Sequence, residues 1–498
     1  MKKIVIPSKA FFNKAEKIIS GIINQQPLYQ DYYHINDIIT DDTPELQKLI
    51  LKQTELDKFK ISAGTSDYVM YKAYKDKIIA DFKNNSYYRN YNNPPGNNEA
   101  RFALAEVENA KFDNELIYTY KDFSLAEGST GAISEIFEYI KRSFQVPEII
   151  IGTPTYYLYK YLAKFFKISY QEAFSIESVR EKTVFFNPIQ DILAKLSKKT
   201  KLVVIVQPNN PTNQIYVIKD VKRLLNECKK RKILLLVDEL FSELIFASYQ
   251  FTPTDILAEK MGCLNNLVIV KGYSKSKNLA GLRIGYLFSI NKKLIEGVNQ
   301  ISEQRQCFAG SSNYSGLIAL DSFVQSVKSK AQKNPNISEI LRKTKKIFSK
   351  FSPTIANLKI VKLKKIYVGY IDYLTKLKKY YGEYCKEAYE ILEDEIIQFV
   401  PKIVAYNTIV KIKGIDNVNF FDFCLNFYLC CNVVTQIGPC FAFDQNRWQR
   451  DKNLGFWLRL SYSRKNKKQF MDSLKLLIQF KKIYLNSPEK FLKTNLTF

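Results

Sequence analysis

From about Leu125 to Leu320, short runs of β-branched and aliphatic residues alternate with amphipathic stretches. Five of the runs are Glu148–Gly152 (EIIIG), Lys201–Pro208 (KLVVIVQP), Lys232–Glu239 (KILLLVDE), Asn266–Gly272 (NLVIVKG) and Arg283–Ser289 (RIGYLFS). Continuous apolar runs of this length fit strands covered on both faces. Ile218–Arg231 has helical spacing and ends in a basic turn, as a helix C-terminus favours. Strand–helix–strand alternation predicts a mostly parallel α/β sheet with helices on both faces.

The flanks read differently. Residues 1–91 are polar, aromatic and loop-rich with helical patches, and Asn92–Asn98 (NNPPGNN) is a strong break. Residues 328–365 hold twelve basic residues against one acidic residue, Glu339, on a helical pattern interrupted by Pro335 and Pro353. Such a run reads as a solvated face, and as the best local candidate for an anionic partner. Beyond Ile397, the strand-like KIVAYNTIVKIKG, the helical NFFDFCLNFYLC and the strand FWLRLSYS predict a smaller α+β unit. The expected division is 1–95 as an N-terminal segment contributing to the small domain and 96–325 as the large domain. A basic helical insertion over 326–396 and a C-terminal small domain over 397–498 follow. The chain shows no internal repeat.

The 498 residues are 46% apolar, enough for two to four compact units and real cores. Lys and Arg number 75 and Asp and Glu 49, so the net charge is 75 − 49 = +26. That excess is spread over almost every segment, as a general compositional bias would spread it, and no nucleic-acid partner is expected from it. The eight cysteines form no CxxC pair and no metal-like cluster with His34, the only histidine. A reduced, cytoplasmic setting without a metal site is expected. The first residues contain an apolar run of three before Pro7, too short for a signal-peptide core, and no stretch approaches a membrane span of roughly 18–20 apolar residues. A single histidine also removes Ser–His–Asp, Cys–His and His-ligated metal schemes. What remains is chemistry by Lys, Asp, Tyr, Arg or a borrowed cofactor.

Three features stand at the carboxyl ends of predicted strands, the edge where open α/β sheets bind ligands. Gln207–Asn213 (QPNNPTN) is a rigid turn that could equally be an ordinary loop. Asp238 ends five aliphatic residues, so its carboxylate faces desolvation unless it meets a donor or cation; a helix N-cap is the competing reading. Gly272–Tyr286 (GYSKSKNLAGLRIGY) crowds Lys275, Lys277 and Arg283 beside small residues that let backbone approach a ligand. Cationic crowding depresses a lysine pKa, and an arginine fork suits a phosphate.

In this order, Asn-Pro-Thr after one strand, Asp after the next, and Ser-Lys followed by Leu-Ala-Gly-Leu-Arg-Ile-Gly resemble the fold-type I pyridoxal-phosphate enzymes, and within them the class I/II aminotransferases. The intervals fit too, 28 residues from Asn210 to Asp238, 37 on to Lys275 and 8 on to Arg283. Lys60–Tyr68 (KISAGTSDY), Asn92–Ala105 and Glu127–Phe137 (EGSTGAISEIF) are similar to further pieces of that family, as are Thr153–Tyr157 (TPTYY) and FWLRLSYS.

The resemblance implies pyridoxal 5′-phosphate as cofactor, amino acid and 2-oxo acid substrates, and a homodimer. It implies Lys275 as the Schiff-base lysine and proton shuttle, and Asp238 as partner of the pyridinium nitrogen. Asn210 would donate to the phenolic oxygen and Tyr156 would stack on the ring. Ser129, Thr130, Gly131, Ser274 and Arg283 would hold the phosphate, where hydroxyls and amides at a helix N-terminus make an anion site. Gly64 and Arg459 would bind substrate, the arginine through the α-carboxylate.

Four departures stand against the pattern. Phe241 occupies the place of a tyrosine donor, Gly272 that of a phosphate-binding serine or threonine, and Asn213 that of a glycine. Lys275 to Arg459 spans 184 residues, several dozen more than the family has, the excess falling near the basic region. The expected function is an aminotransferase moving the α-amino group of an amino acid to a 2-oxo acid. A lyase, decarboxylase or cyclase of the same fold is the alternative, and a non-catalytic regulator the third reading.

Overall fold

In the computed structural model, residues 4–25, 31–41, 43–54, 56–84, 91–112, 116–246, 248–305, 310–404, 406–451, 453–463 and 466–494 are described. Cys307 lies outside them.

The alternating region forms one seven-stranded sheet. Across it the strands run Phe123–Glu127, Ile284–Phe288, Leu267–Gly272, Leu234–Asp238, Thr200–Val206, Glu148–Thr153 and Ser169–Phe174. Pairing is parallel except at Ile284–Phe288, which is antiparallel to both neighbours. All five expected strands are present; Phe123–Glu127 and Ser169–Phe174 are additional.

Successive side chains of the central strands enter two different cores. Leu235 and Val237 face one, packed under the helices Asn98–Asn109, Ile218–Arg231 and Ser315–Ala331. Leu234, Leu236, Val268 and Val270 face the other, under Gly128–Ser143 and Lys292–Gln304. Burial on both faces is why these strands read as unbroken apolar runs.

A five-stranded sheet has the order Trp457–Ser461, Asn407–Ile412, Ile396–Phe399, Thr183–Phe186 and Ile176–Arg180. Its last two strands form a hairpin from the middle of the chain, joined to the C-terminal strands through Phe399 and Thr183. The N-terminal segment is more helical than the sequence pattern predicts, with helices Lys9–Gln25, Tyr32–Asp41, Pro44–Thr54 and Lys72–Asn84. The basic region is also helical, and packed. Ile337–Phe348 buries Ile340, Leu341, Thr344 and Phe348 while its lysines face outward, and Ile360–Leu392 runs on for 33 residues. Pro353 does not interrupt a helix but starts one, under a Ser352 cap.

Candidate active site

The carboxyl ends of the parallel strands open into a cavity of about 530 Å³. Ser129, Thr130, Tyr156, Asn210, Asp238, Ser274, Lys275 and Arg283 line it, as do Gly64 and Arg459. Gly131 sits in the same helical turn as Ser129 but is not among the lining residues. Residues separated by up to 395 positions in sequence thus converge on one space.

Asp238 is the last residue of its strand and is 5% exposed. One carboxylate oxygen accepts from the Tyr159 hydroxyl at 2.8 Å and the other from the Leu240 amide at 3.0 Å. It does not cap a long helix; a turn follows it. Burial raises its pKa, and the Tyr159 and Leu240 donors and Lys275 oppose that rise.

Lys275 extends over the rings of Phe241 and Tyr406, 6.0 and 5.6 Å from their centroids, and donates to the Gly64 carbonyl. Burial first, then the positive charges of Arg459 and Arg283, push its pKa down to about 8, with Asp238 pulling the other way. Lys277 is its opposite. It is ion-paired to Glu243 at 2.5 Å and Asp321 at 2.9 Å, donates to the Tyr370 hydroxyl at 2.7 Å, and its pKa is driven upward by those carboxylates despite burial.

At one end of the cavity the helix Gly128–Ser143 starts directly after a strand. Gly128 has φ +70°, and a β-carbon there would stand 2.7 Å from an Arg283 guanidinium nitrogen. A β-carbon on Gly285 would stand 2.3 Å from the Ser129 amide nitrogen. The two glycines therefore permit the contact that brings Arg283 against the helix N-terminus, where amides and hydroxyls favour an anion.

Arg459 lies across the cavity, 4% exposed, its guanidinium over the Phe441 ring. It donates to the Asn210 side-chain oxygen at 3.1 Å and to the Ser62 carbonyl and Gln436 side chain, while its Nε is buried without a hydrogen-bond partner. The Asn210 oxygen also accepts from Asn407 at 3.1 Å, which leaves its NH₂ as the donating end.

Two departures acquire a physical account. Phe241 is buried edge-on to Tyr406, whose hydroxyl donates to the Gly64 carbonyl at 2.9 Å. An added β-carbon at Gly272 would lie 3.0 Å from the Ile284 carbonyl oxygen, so strand packing favours glycine there. Asn213 takes φ +65°, a conformation asparagine tolerates better than most residues.

Sequence reasoning missed Tyr159, Tyr406, Asn407, Gln436, Tyr33 and Asp37. Of these, Tyr159 alone had a local signal, three residues after Tyr156 at the start of a helix.

The cavity fits pyridoxal phosphate. An anion site at one end, a buried carboxylate at the other, an amine of lowered pKa between them and a buried guanidinium nitrogen lacking an acceptor match the group's phosphate, ring nitrogen and aldehyde, and a substrate carboxylate.

Comparison with known proteins gives the same answer. The family model for aminotransferase class I and II matches residues 57–350. An aspartate aminotransferase of Sulfurisphaera tokodaii is 27% identical over 177 residues, 35% of this chain and 43% of that protein. A histidinol-phosphate aminotransferase of Methanocaldococcus jannaschii is 31% identical over 171 residues, 34% of this chain and 42% of that protein. The matched segments thus span under half the length of either relative. The fold of a Thermotoga maritima aspartate aminotransferase superposes with a TM-score of 0.64 at 19% identity, covering 93% of this chain and 99% of that one. A mutant aspartate aminotransferase of Thermus thermophilus gives 0.65 at 17% identity, covering 92% and 98%. With the family match spanning more than half of its residues, the chain belongs to the class I and II aminotransferases and has their fold-type I α/β architecture.

Proposed function

We propose that this protein is a pyridoxal-phosphate-dependent aminotransferase that moves the α-amino group of an amino acid to a 2-oxo acid. The observation that carries the reading is that Lys275 and Asp238 line one cavity, with Lys275 the lysine of lowered pKa and Lys277 locked in ion pairs. Its family is pyridoxal-phosphate-dependent and works on amino acids and 2-oxo acids.

Lys275 would hold the aldehyde carbon and Asp238 the ring nitrogen. Asn210 would donate to the phenolic oxygen, Tyr156 would cover one ring face, and Ser129, Thr130, Gly131, Ser274 and Arg283 would take the phosphate. When bound, pyridoxal phosphate supplies an aldehyde that captures amines and a ring that accepts the electrons released at the substrate Cα. Arg459 orients the substrate by its α-carboxylate, with a guanidinium already fixed by Asn210, Ser62 and Gln436. The Lys275 amine takes the Cα proton and returns it to the neighbouring carbon, a role open to a lysine only when it can be neutral near the working pH. Asp238, held by Tyr159 and the Leu240 amide, keeps a negative charge facing the heterocycle.

The named relatives act on aspartate, alanine and histidinol phosphate, so they support the reaction class and not one donor. Homodimeric assembly, a cytoplasmic setting and the four-part division at residues 96, 326 and 397 belong to the same proposal. Among the described residues no helix is long and apolar enough to cross a membrane.

Borohydride reduction followed by peptide mass spectrometry tests the reading. The expected result is a reduced cofactor adduct on Lys275 and an amino-acid-dependent bleaching of the visible band in wild-type protein, screened with pyruvate, 2-oxoglutarate and oxaloacetate as acceptors. Protein that takes up no cofactor, or carries it on Lys277, refutes it. Ammonia or carbon dioxide release without the half-reaction would assign a lyase or decarboxylase.

A further inference from the structure

The N-terminal helix Tyr32–Asp41 contributes two neighbouring side chains to the cavity, Tyr33 and Asp37, one helical turn apart. Its position is fixed on several sides. The Tyr32 amide donates to the Gln445 side chain at 2.8 Å, its hydroxyl to the Phe420 carbonyl at 3.2 Å, and Tyr161 donates to Asp31 at 2.7 Å at the helix start. The Tyr33 ring stacks on Tyr157, centroids 3.7 Å apart at 25°, and Tyr157 leans on Tyr156 at 4.4 Å. An aromatic wall therefore leads from the Tyr156 platform to the Asp37 carboxylate, and Asp37 raises the pKa of both Tyr33 and Tyr157 in addition to their burial.

The charges lining the cavity point the same way. Four cations line it, Lys60, Lys275, Arg283 and Arg459. Lys60 is ion-paired to Asp41, and the reading above commits Lys275, Arg283 and Arg459 to aldehyde, phosphate and α-carboxylate. Among the described residues no lining cation is left for a second substrate carboxylate, and Asp37 opposes one.

We propose that Tyr33 and Asp37 set the substrate class of this site: amino acids with an aromatic side chain are accepted against the tyrosine wall, and dicarboxylic amino acids are rejected by the Asp37 charge. This rests on the cavity being the amino-acid site of the proposed transaminase.

Calorimetric titration of the cofactor-loaded protein with two inert acids separates this proposal from that reaction. The probes are 3-phenylpropionate, an aromatic monocarboxylate, and succinate, a dicarboxylate. Wild type is expected to bind 3-phenylpropionate at least about tenfold more tightly, and Asp37→Asn to narrow the ratio by about tenfold by strengthening succinate, with an unchanged melting temperature. Tyr33→Ala is expected to weaken 3-phenylpropionate and leave succinate within about twofold. A succinate preference in wild type, or a ratio unmoved by Asp37→Asn, overturns the proposal. If the discrimination holds while no amino acid supports the half-reaction, the transaminase reading fails and the selectivity stands.

Discussion

Lys275 and Lys277 stand two residues apart and live in opposite electrostatic regimes. Lys275 faces a cavity whose nearest charges include two guanidiniums, and its amine is pushed toward neutrality. Lys277 points into a buried network of Glu243, Asp321 and Tyr370 that holds it charged. The same side chain thus does two jobs, because its pKa follows from which charges surround it and not from burial alone, which both lysines share. A sequence shows two lysines near one loop; the partners that separate them come from 34 to 93 positions away.

The largest expected effect comes from deleting the cavity lysine. Lys275→Ala should cost on the order of 10⁴-fold in turnover and abolish borohydride trapping, with the thermal midpoint little changed. An unchanged trapped adduct would erase the contrast between the two lysines. The converse variant acts on folding. Lys277→Met leaves Glu243 and Asp321 without their cation and should destabilise the protein by about 3–5 kcal/mol in denaturant titration, while soluble protein still traps cofactor on Lys275.

Tyr159→Phe removes one donor from Asp238. Because that donor opposes the rise caused by burial, its loss raises the Asp238 pKa further, and turnover should fall roughly tenfold with the loss deepening toward acidic pH. A pH profile parallel to wild type would deny Tyr159 a positioning role. The finest test is the titration of Lys275 itself. Cofactor capture by the apoprotein needs the neutral amine, so its rate should rise with pH through a midpoint at about 8. Arg459→Gln removes a neighbouring positive charge, favours the protonated amine and should move that midpoint upward; a midpoint at or below the wild-type value contradicts the assigned cause.

Much of this was legible in the chain. The five apolar runs became strands because burial on both faces leaves no polar alternation to confuse the period. Asn210, Asp238, Lys275 and Arg283 could be placed because each follows directly from a strand end, a local event. Phe123–Glu127 was harder to see, since it is five residues long and runs straight into a helix. Tyr33, Asp37, Tyr406 and Asn407 carry no local mark of their place, because packing between segments hundreds of residues apart brings them to the cavity. The N-terminal helices were underestimated for a related reason. Their aromatic faces look irregular alone and acquire a partner only in contact with Phe420–Cys431 and the turn around Pro439.

The mid-chain hairpin that completes the five-stranded sheet has a practical corollary. A fragment expressed from residue 393 onward would retain three strands and strip Ile396–Phe399 of the neighbour on its outer side. Such a bare rim invites association with other copies, so the C-terminal piece should precipitate or self-assemble when made by itself, and recover solubility when residues 176–186 are supplied in the same polypeptide.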